Sequence, residues 1–331
     1  MQGWVPMVEV TRDPFVESLH LGAAAVAGPE GLRDAWGDAE RTILPRSAIK
    51  MIQALPLLTS GAADAAGLGP EHLALACASH QGAERHTRRV ADWLAGLGLG
   101  EADLRCGPQM PSDRAAREAL IRAGTPPTQL HNNCSGKHAG MLTLARHIGA
   151  GPEYHLPDHP VQAACREVFE DLTGAPSPGY GIDGCALPNY AGRLDGIAQA
   201  MAWFATAHRR EDAQSRAGAR LVEAMMAHPD LVAGEGRACT ELMRAAPGAF
   251  VVKTGAEGVF TAILPAQGVG IALKIADGAG RAADCAIAAL LVRLGVLEAD
   301  APAAAARIEA PIRNRRGDTV GHVRPAAALR A

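Results

Sequence analysis

Read for the spacing of apolar and polar positions, the chain opens on strands. Val5 to Arg12 and Glu17 to Ala27 read as two strand-like runs, and the second ends at the turn Gly28-Pro29-Glu30-Gly31. Leu32 to Trp36 reads as a third. Behind Pro45 the pattern changes to an apolar period of three to four residues over Ser47 to Leu58, which predicts a helix. His72 to Ala78 is a short apolar run and predicts a buried strand. Glu84 to Leu97, Ser112 to Ala123, Gly136 to Ile148 and His159 to Leu172 carry helical spacing, the last two stopped by Gly149 and Gly174. Ala175 to Tyr190 holds three prolines and three glycines and predicts a loop. Helices return at Gly192 to His208 and Gln214 to His228. Ala249 to Thr254, Val259 to Leu264 and Gly268 to Ile275 then predict an antiparallel meander, and Arg281 to Leu294 a closing helix. Ala299 to Ala306 is low in complexity, and the basic, Ala-rich tail from Arg313 is expected to fray.

Strands at both ends with helices between them make an α+β plan, in which the terminal segments share one antiparallel sheet packed with helices. The expected organisation is one catalytic unit of two closely packed subdomains. The sheet-containing part takes about 1–60 and 245–300, and the helical part about 61–244. Composition narrows the function. A formal charge of −3 without a basic tract argues against nucleic-acid binding, and 48% hydrophobic residues argues against disorder. The longest apolar runs, such as Ala286 to Val292, are too short for a bilayer. Met1 to Ser18 shows no apolar export segment, and the seven cysteines are odd in number and widely spread, so a cytoplasmic protein with reduced thiols is expected.

The basic residues are lopsided. Of 32 Lys and Arg, only Lys50, Lys137, Lys253 and Lys274 are lysine. Arginine serves wherever positive charge alone is wanted. A position that stays lysine is therefore a candidate for amine chemistry, because a buried lysine can lose its proton and arginine cannot readily do so.

Three of these lysines fall in motifs. Ser47-Ala48-Ile49-Lys50 places a hydroxyl and an amine three residues apart, on one face of a helix, so that a neutral lysine could take the serine proton. Lys253-Thr254-Gly255 ends a strand-like run late in the chain, and the pair of motifs in this order is found in penicillin-recognising enzymes. Cys134-Ser135-Gly136-Lys137-His138 stands where a loop enters a helix. Cys134 and His138 could ligate a metal together, with Cys185 from Gly184-Cys185 completing the set, and thiolate with imidazole would suit zinc. Ser79-His80 follows the predicted His72–Ala78 strand. Each motif alone also has a plain structural reading, as a helix start, a strand end or a pair of buried thiols.

Together, Glu17-Ser18-Leu19-His20-Leu21-Gly22, Arg46-Ser47-Ala48-Ile49-Lys50, Ser79-His80, Asn133 to His138, Ile182-Asp183-Gly184-Cys185 and Lys253 to Gly258 resemble the rhizobial-type, or class 3, L-asparaginase family. The resemblance runs over about Val8 to Leu294. It implies a serine β-lactamase-like fold, a homodimer, and hydrolysis of L-asparagine to L-aspartate and ammonia. It implies two Ser-Lys pairs, Ser47 with Lys50 and Ser79 with Lys253, with Ser47 as nucleophile of an acyl-enzyme route. It moves the zinc ligands to Cys134, Lys137 and Cys185, where the ion would tune substrate binding without activating the nucleophile. Arg46, His80, His138, Asp183 and Gly255 are the expected substrate-binding residues. Paired lysines make chemical sense: at about 4 Å and an effective dielectric of about 20 they repel by roughly 4 kcal/mol, about three pKa units. One amine could then be neutral near pH 7.

Two rivals remain. Another acyl-transfer enzyme of the same fold, a glutaminase, β-lactamase or esterase, is one. A single methylene separates asparagine from glutamine, worth only about 10–200-fold in discrimination. The other is a zinc-dependent amino-acid-binding protein without turnover, which would have no use for two Ser-Lys pairs.

Overall fold

The computed structural model describes residues 2–330. It is an α+β structure of two compact units. One takes the chain up to Ala48, Gly192–Thr206 and the chain from Glu241 on; the other takes Ile49–Ala191 and Ala207–Thr240.

The first unit is built on an antiparallel sheet of eight strands, in the order Ala310–Arg313, Thr319–Pro325, Val5–Arg12, Phe15–Gly28, Val269–Ile275, Val259–Leu264, Val251–Thr254, with Gly31–Trp36 also paired to Phe15–Gly28. Phe15–Gly28 spans 14 residues and does double duty. Its first half pairs with Val5–Arg12, from Arg12↔Phe15 to Val5↔Gly22. Its second half pairs with the meander, from Ile275↔Gly22 to Gly270↔Ala27. The stretch Ala23–Ala27 is buried at every position, so it reads as a continuous apolar run and not an alternation. Its small side chains let the helix Leu194–Thr206 lie close on the sheet. The helix Gly280–Arg293 also packs on the sheet, as its unbroken alanine-rich core face requires.

The predicted meander and closing helix are present within one or two residues of the expected bounds. The C-terminal expectation is corrected. Instead of fraying, the tail from Arg313 supplies the strand Thr319–Pro325, with Val8↔Pro325 to Val10↔Val323 in register against the first strand, and Ala310–Arg313 just before it pairs on its other side. Half-buried Glu9 explains part of this, because it accepts hydrogen bonds from Arg324 at 2.6 Å and from Arg330. The low-complexity run holds the helix Pro302–Ile308. The helix expected from Gly192 starts at Leu194, because Gly192–Arg193 pairs with Thr42–Ile43.

The second unit is mainly helical, with principal helices at Lys50–Thr59, Pro70–Ala76, Glu84–Gly96, Arg114–Ala123, Ser135–His147, Pro160–Thr173 and Ala213–Ala227. Ser135–His147 is its centre, buried without interruption from Ser135 to Ala145. The buried run is not wholly apolar: it encloses Ser135, Lys137, His138 and Thr143. The predicted strand His72–Ala78 is the helix Pro70–Ala76: Pro70 suits a first helical turn, and His72 Nδ1 accepts the Gly69 N–H at 3.2 Å. A short apolar run cannot by periodicity separate a buried strand from a buried helix turn. The predicted loop Ala175–Tyr190 contains a hairpin, Tyr180–Ile182 against Pro188–Tyr190. Among the described residues no helix is long and apolar enough to cross a membrane.

Candidate active site

The expected site residues fall on both units. The sheet unit holds Arg46, Ser47, Lys253 and Gly255. Arg46–Ile49 forms a 3₁₀ turn that runs into the α-helix beginning at Lys50, so the predicted helix starts as a tighter coil. In 3₁₀ geometry residues three apart eclipse one another, which suits the Ser47–Lys50 spacing. Ser47 is half-buried, and Arg46 before it has φ 54°. Two other residues fix this turn. Thr261 Oγ1 donates to the carbonyl of Ala48 at 2.7 Å. Gly255 packs so closely that a Cβ there would lie 2.8 Å from the Pro45 carbonyl oxygen and 3.1 Å from the Ala48 nitrogen. Lys253, 1% exposed, donates from Nζ to the Thr254 carbonyl at 2.8 Å. Thr261 was not anticipated. Its only sequence signal is a hydroxyl inside the apolar strand Val259–Leu264, opposite Lys253 in register.

The helical unit holds Lys50, Ser79, His80, Cys134, Lys137, His138, Asp183 and Cys185. Lys50 is fully buried, and its Nζ bonds the Ala78 carbonyl, Ser79 Oγ at 3.1 Å and Cys134 Sγ at 3.1 Å. Lys50 thus joins a candidate hydroxyl to a candidate metal thiol, a link the motifs did not predict. Ser79 sits just past a helix and not a strand, held by its N–H on the Val232 carbonyl at 2.8 Å. Gly136 brings the next segment in. A Cβ there would lie 2.4 Å from the Leu75 carbonyl oxygen, so only glycine lets the Cys134–Lys137 helix start approach this loop.

The thiol pair and one amine converge. Lys137 Nζ lies 3.3 Å from Cys185 Sγ, and Cys134 hydrogen-bonds Cys185. That hydrogen bond holds the Cys185 thiol well below its usual range against the effect of burial, with the Lys137 charge helping. The same bond, with burial, pushes Cys134 up to about 12. Burial would lower Lys137, but its interaction with the two thiol sites, Cys185 first and then Cys134, outweighs it and raises the amine. Asp183 stands on the hairpin turn that carries Cys185, its carboxylate close enough to act on both Lys137 and Cys185. Among the described residues no group of three or more His, Cys, Asp or Glu side chains gathers as a metal-holding cluster. The set here is two sulfurs and an amine nitrogen. Its chemistry fits a soft divalent ion once Cys134 and Lys137 lose their protons.

The histidines are interior. His80 Nδ1 accepts the Gly82 N–H at 3.1 Å, so Nε2–H donates to Ser135 Oγ at 2.9 Å. Burial holds His80 well below its ordinary value, and its ring stacks on His86 at 4.8 Å. His138 is fully buried and its Nδ1 meets the Tyr154 hydroxyl at 2.8 Å, while Nε2 has no hydrogen-bond partner among the described residues. Burial pushes it well below the usual histidine range too. Tyr154, equally unanticipated, takes the Arg105 N–H at 2.9 Å.

Among the described residues three non-glycine residues have positive φ: Arg46 at 54°, Ala186 at 67° and Glu257 at 57°. They stand beside Ser47, beside Cys185 and in the turn after Gly255. Strained backbone of this kind concentrates where a site over-determines its own geometry.

The fold has known counterparts. A crystal structure of Mglu in its tris and glutamate form is similar, with a TM-score of 0.50 and 16% identity over 84% of this chain and 60% of that one. This chain therefore accounts for less than two thirds of that structure's length. A β-lactamase from Mycobacterium bovis has a TM-score of 0.40 at 14% identity, covering 83% of this chain and 95% of that one. A putative β-lactamase from Bacteroides dorei DSM 17855 has a TM-score of 0.44 at 11% identity, covering 77% and 84%. No curated protein matches the sequence significantly. The likeness to Mglu is one of fold, and on its α+β fold this chain carries a Ser-x-x-Lys turn and a Lys-Thr-Gly strand end. The chain belongs to the L-asparaginase II family, whose model matches residues 8–325.

Proposed function

We propose that the protein hydrolyses the side-chain amide of L-asparagine, giving L-aspartate and ammonia through an acyl-enzyme on Ser47. The observation that carries this reading is Lys50: a lysine with no exposed surface, one helical step after Ser47, bonded to Ser79 Oγ and Cys134 Sγ. A buried amine of this kind has a purpose in proton transfer that a surface charge does not.

Lys50 takes the Ser47 proton as Oγ bonds to the amide carbon. The C–N bond then breaks, and the leaving nitrogen takes a proton, so ammonia departs and a β-aspartyl ester remains. Water attacks the ester and returns the proton to Ser47. Ser79 and Lys253 serve as the second hydroxyl–amine pair for these transfers. Arg46, His80, His138, Asp183 and Gly255 complete substrate binding, some through the groups they hold in place. Zn²⁺ would be held by Cys134, Lys137 and Cys185 and would add a fixed positive charge for binding asparagine. The same reading makes the protein a cytoplasmic homodimer, checked by light scattering of the purified chain.

The deciding experiment is ammonia release from asparagine and from glutamine by the wild type and Ser47→Ala. Turnover of asparagine that Ser47→Ala abolishes is the expected result. Preference for glutamine would make the protein a glutaminase, and equal rates in both proteins would remove Ser47 from the mechanism. Lys50→Arg examines the base: normal kcat/KM at pH 7 would rule Lys50 out.

A further inference from the structure

Lys274 lies outside every motif considered so far, yet it too is lysine where the chain otherwise prefers arginine. It sits half-buried on the strand Val269–Ile275. Its Nζ donates to the Glu257 carbonyl at 2.7 Å and to the Ile275 carbonyl. Glu257 belongs to the turn between Val251–Thr254 and Val259–Leu264, the turn that holds Gly255, and has φ 57°. A left-handed residue turns its carbonyl away from the strand ladder, so a side-chain donor has to meet it.

A second turn locks onto the first. Asp277 accepts from His20 Nδ1 at 2.6 Å and from the Ala279 N–H at 3.0 Å. Arg281 Nε donates to His20 Nε2 at 3.0 Å, which leaves Nδ1 as the donor toward Asp277. Gly278, at the centre of this second turn, lies under Glu257: a Cβ there would stand 2.7 Å from Glu257 Oε2 and 3.3 Å from its Cα. The Ile275 N–H bonds the Gly258 carbonyl at 2.9 Å. The far end of the Lys-Thr-Gly turn is thus fastened by Lys274 and seated on Gly278. Its near end, Gly255, rests on the Pro45 carbonyl and the Ala48 nitrogen, the main chain on either side of Ser47.

We propose that Lys274 is a positioning residue: its ammonium fixes the Glu257 end of the Lys253–Gly258 turn and so sets where Gly255 bears on the Ser47 segment. This rests on the reading of Ser47 as the nucleophile. A compact ammonium reaches two carbonyls of different turns, where replacement by an apolar side chain of equal length would leave both without this donor.

The test compares the wild type, Lys274→Met, Lys274→Arg and Gly278→Ala in three measurements: melting temperature, kcat and KM for asparagine, and the rate at which a fluorophosphonate labels Ser47, located by mass spectrometry. Lys274→Met is expected to slow both Ser47 labelling and kcat about tenfold to a hundredfold, with KM changed less than about threefold, as for a nucleophile displaced by under an ångström. Lys274→Arg, which keeps a cationic donor, should restore most of both rates. Gly278→Ala, which pushes on Glu257 without touching Lys274, should reproduce the loss if Lys274→Met does not fold. Wild-type labelling and kcat in folded Lys274→Met, or in Gly278→Ala when that is the variant available, would overturn the proposal. Labelling of Ser47 without asparagine turnover would overturn the substrate assignment alone, because the labelling rates still decide Lys274. A wild type with neither activity would overturn both.

Discussion

The two units hold their candidate residues by different means. In the sheet unit the contacts that matter end on main chain: Thr261 on the Ala48 carbonyl, Gly255 against Pro45 and Ala48, Lys253 on the Thr254 carbonyl, Lys274 on the Glu257 carbonyl. In the helical unit most run between side chains: Lys50 with Ser79 and Cys134 as well as with the Ala78 carbonyl, Lys137 with Cys185, His80 with Ser135, His138 with Tyr154. A main-chain acceptor fixes shape and does not itself titrate. Side-chain networks among buried titratable groups carry charge, and their stability depends on proton supply. The sheet unit should therefore answer to added atoms, and the helical unit to pH and metal.

The largest expected effects fall on the chemistry itself. Ser47→Ala and Lys50→Met should each lower kcat/KM by about a thousandfold or more, the scale of a lost nucleophile or general base. Lys50→Met carries a second cost that Ser47→Ala does not. It leaves the Ala78 carbonyl and Ser79 hydroxyl without the donor they now have, worth about 1–3 kcal/mol of unfolding free energy in a denaturant titration. Equal stability of the two variants would break the contrast between units.

Next come the two glycines at close approach. Gly255→Ala should displace the Ser47 segment and cut kcat by about tenfold to a hundredfold. Gly136→Ala, with its Cβ 2.4 Å from the Leu75 oxygen, should cost about 1–3 kcal/mol as overpacking and weaken zinc binding at the proposed Cys134–Lys137–Cys185 site. Activity and stability measured on both variants check this.

A smaller effect separates the units by acid. His80 and His86 are buried, and burial lowers both below the ordinary histidine value. The sign follows from proton counting. Below about pH 6.5 the unfolded chain binds protons that these folded histidines refuse, so stability is intact above that pH and falls as pH drops below it. The slope is up to about 1.4 kcal/mol per pH unit for each histidine. His86→Gln should flatten the acid limb of melting temperature against pH, and an unchanged limb would show that His86 does not drive it.

The subtlest effect is the proton balance of metal binding. Cys134 stands at about 12 and Lys137 is raised, so both carry protons before an ion enters. Zinc loading at neutral pH should release about two protons, read as a dependence of calorimetric enthalpy on buffer ionisation. An enthalpy independent of buffer would exclude Cys134 and Lys137 together as ligands.

Much of the sheet was legible because the terminal strands and the meander carry strong β patterns broken by Gly and Pro. The last strands, Ala310–Arg313 and Thr319–Pro325, were hidden because arginines and alanines mask their alternation; their place depends on a distant partner, Glu9. The helix Pro70–Ala76 was misread because seven apolar-rich residues do not show a period. The chemistry was legible where the residue type is itself unusual, as with lysine in an arginine-rich chain. The contacts of Lys50 with Ser79 and Cys134 were not, since they join positions 29 and 84 residues away. Nor was Thr261, whose hydroxyl matters only because the fold sets it over Ala48.

The burial of the lysines has a practical consequence. Lys50, Lys137 and Lys253 are 0%, 5% and 1% exposed, and Lys274 is half-buried with its Nζ engaged. The folded protein therefore offers amine-reactive reagents almost no ε-amino group. Acylating labels and lysine cross-linkers should leave the native side chains nearly untouched and modify them together on denaturation. Their uptake becomes a direct readout of unfolding, with partial modification at Lys274 reporting first on the turn it fastens.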